Sequence, residues 1–244
     1  MSIDRKFEVE RKKTTAKQGA DCLLKSLGER FIVESIKTKY SFHFDWLGRP
    51  IIQYPQDIVA MQEIVWRVKP DLIIESGIAR GGSLIFHASL LELIGGRRKV
   101  VGIDIDIREH NREEIEKHKL SKRIILLEGS SVDEKIVTKV KKISKKHKKI
   151  LVILDSNHSH EHVLRELENY APLVNVGSYC VVFDTIIEAI PEKFYDPRPW
   201  NRKKNPASAV RAFLKKHKNF RPDSDIDNKL LVSVAPGGYL KRIR

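Results

Sequence analysis

Two aspartates each follow a short apolar run in this 244-residue sequence. Asp155 follows the run at 150–154, and Asp184 follows the run at 179–183. The carboxyl ends of neighbouring parallel strands meet at one sheet edge, so these two carboxylates are expected to face and repel one another. A divalent cation relieves that repulsion, and an all-oxygen donor set suits Mg²⁺, which can grip vicinal hydroxyls and lower the pKa of one. The alternative is that Asp155 caps a helix and Asp184 closes a turn.

Two histidines, His158 and His160, lie just beyond Asp155. Either could support the metal ligands, bind a softer metal or accept a proton, although a lone histidine in a loop is more often solvated. His158 is the stronger candidate for a general base. The predicted catalytic residues are therefore His158 and Asp155.

A glycine-rich segment, Glu75-Ser76-Gly77-Ile78-Ala79-Arg80-Gly81-Gly82-Ser83, connects an apolar run to a helical stretch. Its glycines permit close backbone approach, and Asp104, at the end of the next run, suits a ribose diol. The spacing lacks the G-x-G-x-x-G pattern that holds a pyrophosphate, and the acid before the first glycine suits an ammonium group. This favours S-adenosylmethionine over a nicotinamide dinucleotide, with a ligand-free turn as the alternative. The predicted binding residues are Glu75, Gly77, Ala79, Gly81, Ser83, Asp104, Ser130, Ser131 and Asp155.

Alternating elements must position these side chains. Runs rich in Val and Ile occur at 72–74, 100–103, 124–127, 150–154 and 179–183. Helical segments lie between them, which predicts an α/β fold with a mostly parallel sheet covered by helices on both faces. Segments 229–234 and 238–243 predict a terminal hairpin, giving seven strands in a Rossmann-like methyltransferase arrangement. Residues 1–40 are predicted to form a helical N-terminal arm, with Gly28 as a helix stop, and 41–244 a single domain.

Composition excludes several classes of protein. The chain is 41% apolar and 32% charged, which argues against disorder, and no apolar run reaches the roughly 18 residues of a membrane span. Two cysteines and no secretory leader predict a reducing, cytoplasmic setting. The net charge is +14, but the lysines at 139–149 alternate with apolar residues at helical spacing, which predicts a solvated helix face. No aromatic residues are interleaved with these lysines, so nucleic acid is a weaker alternative partner.

Several motifs, in order along the chain, resemble the cephalosporin hydroxylase and rhamnosyl O-methyltransferase family. The matching stretches are 46–53, 74–83, 154–158, 184–187, 205–210 and 233–242. The resemblance implies a Rossmann-like fold, S-adenosylmethionine, a Mg²⁺ site, hydroxyl acceptors on sugars, glycolipids or antibiotic cores, and a homo-oligomer. It places the metal aspartates on Asp155 and Asp184. The family usually has an acid immediately before the second aspartate, where this chain has Phe183; Glu188 and Asn157 are candidate replacements.

The sequence therefore predicts an S-adenosylmethionine-dependent, Mg²⁺-assisted O-methyltransferase. Segments 42–53 and 195–201 are expected to form the acceptor wall, and peripheral membrane contact is compatible with a glycolipid acceptor. The alternatives are an RNA methyltransferase, favoured by the charge, a binding protein that has lost turnover, and a nicotinamide oxidoreductase.

Overall fold

The computed structural model describes residues 3–194 and 198–244, which form alternating strands and helices. The strands are β1 (Asp45–Trp46), β2 (Arg49–Pro50), β3 (Leu72–Ser76), β4 (Lys99–Asp104), β5 (Ile124–Glu128), β6 (Ile150–Leu154), β7 (Tyr179–Val182), β8 (Phe220–Pro222) and β9 (Tyr239–Arg242). The helices are α1 (Ile3–Ala20), α2 (Cys22–Ile36), α3 (Pro55–Val68), α4 (Gly82–Ile94), α5 (Glu109–Lys117), α6 (Glu134–Ser144), α7 (His160–Tyr170), α8 (Pro206–Lys216) and α9 (Ser224–Leu230).

Seven of these strands form one sheet in the order β5-β4-β3-β6-β7-β9-β8. The five strands from β5 to β7 are parallel, and β9 is antiparallel to both β7 and β8. This confirms the predicted fold class. The chain builds outward from β3 to β5 and then returns to place β6 on the other side of β3. Ligands of open α/β sheets bind at such a reversal of strand order, beyond the carboxyl ends of the strands.

Helices cover both faces of the sheet, and its central strands β3 and β6 are buried along their whole length. Successive residues of β3 point to opposite faces, so Ile73 packs in the hydrophobic cluster that includes α3 and α4. Ile74 packs in the second cluster, against α6, α7 and α8. The lysine-rich helix α6 buries Ile136 and Val140 while its lysines face solvent, as the spacing predicts. Within the described ranges, no helix is long and apolar enough to cross a bilayer.

The predicted terminal hairpin is wrong in its first strand. The partner of β9 is β8, and the segment 229–234 that the sequence assigned to a strand begins in the last turn of α9 and continues as a loop. Acidic residues in the first turn of α9, Asp225 and Asp227, favour the helix through its dipole. Ser233 and Val234 are then held as a loop by hydrogen bonds to Asp57.

Two helices, α1 and α2, occupy the region of the predicted N-terminal arm. Asp21 lies between them and accepts a hydrogen bond from the Leu24 amide, as an N-cap. The expected helix stop at Gly28 is wrong, because α2 continues through it to Ile36. Gly28 instead allows a close approach, since a Cβ there would lie 2.5 Å from the Leu231 carbonyl oxygen.

Asp57 anchors the start of α3 to the last segment of the chain. It is fully buried and accepts hydrogen bonds from Ser233 Oγ (2.6 Å), Tyr239 OH (2.6 Å) and the Val234 amide (3.0 Å). Replacement of Asp57 would leave these three hydrogen-bond donors without their acceptor. We expect Asp57→Ala to lower the free energy of unfolding by about 3 kcal/mol, measured by urea denaturation, because buried donors without acceptors are costly.

Glu63→Ala is the matched control, since Glu63 lies on the same helix in an exposed ion pair with Lys229. Burial raises the pKa of Asp57 from 3.8 to about 6. A raised pKa in the folded state means that stability is fully present below the unfolded value and is lost as pH rises through about 6. This pH-dependent loss should be absent from Asp57→Ala; equal stabilities of the two variants would contradict the assignment.

Candidate active site

A cavity of about 660 Å³ opens beyond the carboxyl ends of β3, β4, β6 and β7. Its volume is in the range of small-molecule sites. The cavity lies where the strand order reverses, and Asp104 and Asp155 both line it. Of the residues predicted to bind the nucleotide, all except Gly81 line this cavity. A Cβ on Gly81 would lie 2.4 Å from Ile115 Cδ1, so this glycine allows α4 to approach α5.

The glycine-rich turn between β3 and α4 is held by two neighbouring strands. Gly77 has a φ of +80°, and a Cβ there would lie 2.0 Å from the Asp155 carbonyl oxygen, so only glycine fits. Asp104 Oδ2 accepts hydrogen bonds from the amides of Ile78 (3.0 Å) and Ala79 (3.3 Å). Asp104 therefore positions the turn, a contact that the sequence reasoning missed because only a binding role was considered.

Glu75 is buried at the end of β3, in the wall of the cavity. Ser83 Oγ donates a hydrogen bond to Oε1, whereas Oε2 has no hydrogen-bond partner within the described part of the chain. Burial raises the pKa of Glu75 to about 8 against the effect of Ser83, and the charge of Asp104 adds to the rise. His87 Nε2 lies 3.6 Å from Oε2. Burial lowers the pKa of His87 to about 3, so this neighbour is neutral and supplies no counter-charge.

Ser130 and Ser131 line the cavity beyond β5. The Ser131 hydroxyl donates to Glu166 Oε1 (2.5 Å) and lies 2.9 Å from His162 Nε2. Glu166, on α7, is fully buried and also accepts from Ser156 Oγ at 2.7 Å. The sequence reasoning missed Glu166, although a carboxylate on the apolar face of an amphipathic helix was a visible signal.

Asp155, His158 and Asp184 meet at the ends of β6 and β7. Their potential ligand atoms all lie within 4.8 Å of one another, and His158 Nε2 is 3.3 Å from Asp184 Oδ2. Asp184 reaches this position through a left-handed backbone conformation, with a φ of 56°. Burial raises the pKa of Asp155 well above its usual value, and the nearby charges of Asp184 and Glu75 raise it further. A divalent cation would offset both effects.

The alternative role as a helix cap does not hold for Asp155, because Ser159, four residues further on, is the N-cap of α7. Asp184 does begin a short 3₁₀ turn at Thr185–Glu188, as its alternative role predicts, but its side chain makes no capping hydrogen bond. Their carboxylates are therefore not committed to closing a helix.

Both candidate replacements for the acid at Phe183 bind other groups through their side-chain oxygens. Glu188 pairs with Arg211 through both carboxylate oxygens, at 2.5 and 2.8 Å. Asn157 Oδ1 accepts a hydrogen bond from the Ser159 amide. His158 is instead the third potential donor, and the buried Phe183 ring lies in the hydrophobic core.

The second histidine, His160, is not among the cavity-lining residues. Its Nδ1 lies 2.7 Å from Ser208 Oγ, which connects α7 to α8. His158 lines the cavity and packs edge-on against Trp200, with ring centroids 4.9 Å apart. Trp200 therefore fixes the imidazole beside the two aspartates.

The predicted acceptor wall lies partly at the cavity. From the first segment, Phe42 and residues 50–53 line it; from the second, Arg198 and Trp200 do. The Arg198 guanidinium lies 5.2 Å from the centre of the Trp200 ring. Residues 195–197 of the predicted wall lie outside the described residues.

Comparison with known proteins adds sequence relatives. A family model described as rhamnosyl O-methyltransferase/CmcI matches residues 38–243. Rhamnosyl O-methyltransferases of Mycobacterium bovis and Mycobacterium tuberculosis are 31% identical over 194 residues, covering 76% of this chain and 73% of theirs.

Solved structures share the fold. A CmcI apo-structure has a TM-score of 0.56 at 20% identity, covering 83% of this chain and 77% of that one. A CmcI structure with Mg and S-adenosylmethionine scores 0.55 at 19% identity, covering 83% and 78%. The O-methyltransferase TomG from Streptomyces achromogenes, in complex with S-adenosylmethionine, scores 0.52 at 14% identity, covering 68% and 71%.

Proposed function

The chain belongs to the rhamnosyl O-methyltransferase/CmcI family, and we propose on this premise that it methylates a sugar hydroxyl with S-adenosylmethionine and a divalent cation. The observation that carries the proposal is the cluster of Asp155, His158 and Asp184 in the same cavity as the glycine-rich turn. Such a cavity can hold a methyl donor and a hydroxyl acceptor side by side, and alignment of two reactants alone supplies much of a rate enhancement.

The wall around Glu75 fits S-adenosylmethionine. The Oε2 atom of Glu75 is buried in the cavity wall without a hydrogen-bond partner among the described residues, and it is complementary to an ammonium group. Gly77 lines the cavity at the end of β3, and Asp104 lies across the turn from it. When bound, S-adenosylmethionine supplies a methyl group on a positively charged sulfur. Glu75, Gly77, Ser83 and Asp104 are the residues proposed to hold it.

The cluster of Asp155, His158 and Asp184 fits a divalent cation. The carboxylates of Asp155 and Asp184 are donors that Mg²⁺ or Mn²⁺ accepts, with the His158 imidazole beside them, and the repulsion at Asp155 would be relieved by the positive charge. A bound cation lowers the pKa of a coordinated hydroxyl. The CmcI structure with Mg and S-adenosylmethionine supports this choice of metal.

In the proposed mechanism, the chain's own residues orient the acceptor and move one proton. Asp155 and Asp184 would hold the cation, which would supply a site for the acceptor hydroxyl. His158 Nε2, next to Asp184 Oδ2, takes the hydroxyl proton. Trp200 keeps the imidazole in place, and the apolar walls reduce the access of water.

The acceptor proposed is a rhamnosyl or related deoxysugar group. The mycobacterial relatives are named rhamnosyl O-methyltransferases, and this name supports the proposed acceptor class. Phe42 and Trp200 in the cavity wall present flat apolar surfaces that suit the C–H face of a sugar ring.

Binding of the donor is expected to depend on pH through Glu75. Its pKa of about 8 means that the free carboxyl is protonated at neutral pH, and an ammonium ligand requires it to ionise. Binding then releases a proton, so affinity rises with pH. We expect the Kd of S-adenosylhomocysteine, which carries the same ammonium group, to fall by up to about tenfold per pH unit between about pH 6 and 8. Calorimetric titration in a series of buffers measures this.

Glu75→Gln should bind more weakly and show no such trend in that range. Glu128→Gln, at the exposed end of β5, is the control and should retain it. A Kd that is equal at both ends of the pH range in the unmodified protein would overturn the role of Glu75.

The direct test of the proposed function is methyl transfer to defined acceptors. Purified protein with S-adenosylmethionine and Mg²⁺ should form S-adenosylhomocysteine when a rhamnoside is added, and chelation of the metal should stop the reaction. Methylation of RNA in place of the sugar would favour the RNA methyltransferase alternative. Tight donor binding without transfer to any member of a deoxysugar panel would favour a binding protein.

A further inference from the structure

The edge of the sheet opposite the cavity is strongly basic. We define the amino-terminal edge as the chain segments that lead into β3, β4, β5, β6, β7 and β8. The parallel arrangement brings these segments together at one end of the molecule. Its exposed cations include Arg97, Lys145, Lys146, Lys148, Lys149 and Lys216. The lysines at 145–149 belong to the run that the sequence predicts to be a solvated helix face. In the fold, Arg97 and Lys216 from distant parts of the chain lie on the same edge as these lysines.

Few acids neutralise this edge. Asp71 accepts hydrogen bonds from the backbone amides of Lys148 and Lys149, which leaves their ammonium groups unengaged by it. Glu92 is shared between Lys122 and Arg123. Across 3–194 and 198–244, the six cations named above make no ion pair. The charges of these six side chains are therefore available to an anionic partner.

Large apolar side chains are exposed on the same edge. Trp66 is 52% exposed in the last turn of α3, Leu93 is 75% exposed in the last turn of α4, and Val176 is 60% exposed just before β7. The Lys69 ammonium lies 5.5 Å from the centre of the Trp66 ring. Exposed apolar and aromatic groups within a basic surface are typical of proteins that lie on a membrane.

We propose that the amino-terminal edge docks on an anionic lipid bilayer. The lysines would meet lipid phosphates, and Trp66, Leu93 and Val176 would enter the headgroup region. Lysine rather than arginine predominates, and Trp66 is the one exposed aromatic ring among the described residues of this edge, which favours a membrane over RNA. The inference does not rest on the proposed function. It leaves the cavity facing the aqueous phase.

Vesicle co-sedimentation tests the proposal. The full chain is mixed with vesicles of phosphatidylcholine, alone or with about 30% phosphatidylglycerol, at about 0.1 M salt. The triple variant Lys145→Glu/Lys146→Glu/Lys148→Glu changes the edge. The control, Arg108→Glu/Lys135→Glu/Lys203→Glu, makes the same change of charge at exposed positions beyond the carboxyl ends of the strands. Leu93→Ser/Val176→Ser removes apolar contacts without altering charge.

We expect the unmodified chain to bind the anionic vesicles and not those of phosphatidylcholine alone. The affinity for anionic vesicles should be at least tenfold weaker in the edge variant and within about twofold of the unmodified chain in the control variant. Leu93→Ser/Val176→Ser should weaken binding several-fold. Absence of binding to anionic vesicles, or equal losses in the two triple variants, would overturn the proposal. So would unchanged binding of Leu93→Ser/Val176→Ser, or preference of the edge for single-stranded RNA. Retained binding of S-adenosylhomocysteine shows that a variant is folded and separates this outcome from the proposed function.

Discussion

Asp155→Ala is expected to lower kcat/KM for methyl transfer by at least about a hundredfold, since loss of even a group that only supports a metal ligand typically costs about 10–100-fold. Burial and the charge of Asp184 both raise the pKa of Asp155, so its ionised form is disfavoured unless a cation is bound. Its removal therefore takes away both a ligand and the negative charge that attracts the metal. Steady-state kinetics at increasing Mg²⁺, together with Mn²⁺ binding followed by electron paramagnetic resonance, measure the two effects.

The matched control is Glu128→Gln, which removes a carboxylate from the exposed end of β5, a strand separated from β6 by β4 and β3. It should leave kcat/KM and metal affinity unchanged within about twofold. The backbone of residue 155 packs on Gly77, so binding of S-adenosylhomocysteine serves as the check that Asp155→Ala keeps the turn intact. Normal Mn²⁺ affinity and normal turnover in Asp155→Ala would refute the metal assignment.

The five parallel strands could be predicted from the sequence because the signal is local. Each parallel strand is a short Val- and Ile-rich run, and a sheet covered on both faces requires that pattern. The β8–α9 region could not be predicted in the same way. Residues 229–234 are apolar enough to read as a strand, but Asp57, far away in the chain, fixes Ser233 and Val234 as a loop. Long-range polar contacts of this kind leave no local pattern.

The candidate site also has features that the sequence predicts and features that depend on long-range contacts. That Asp155 and Asp184 meet follows from strand ends alone, and the structure brings them together with His158. The contact of Asp104 with the glycine-rich turn depends on side-chain geometry that spacing does not encode. His87 is also invisible to sequence reasoning, because a single polar residue in an apolar helix carries no indication of which wall it faces.

His158→Ala is expected to lower kcat by about a hundredfold while metal and donor affinities stay within about threefold, the pattern of a lost general base. His158 Nε2 faces Asp184, and Trp200 holds the ring edge-on. These contacts place a proton acceptor where the two aspartates would fix the acceptor hydroxyl. A residue that acts on the proton alone changes the chemical step more than ligand binding, so kcat should fall and KM should not rise.

His160→Ala is the control, because His160 lies two residues along the chain and contacts Ser208 outside the cavity. It should keep kcat within about threefold of the original protein, although loss of the contact between α7 and α8 should lower the free energy of unfolding by about 1 kcal/mol.

Mn²⁺ binding to His158→Ala distinguishes a general base from a metal ligand at this position. A marked rise in the Mn²⁺ Kd, with kcat restored at saturating metal, would show that His158 binds the cation and that the proton leaves by another route.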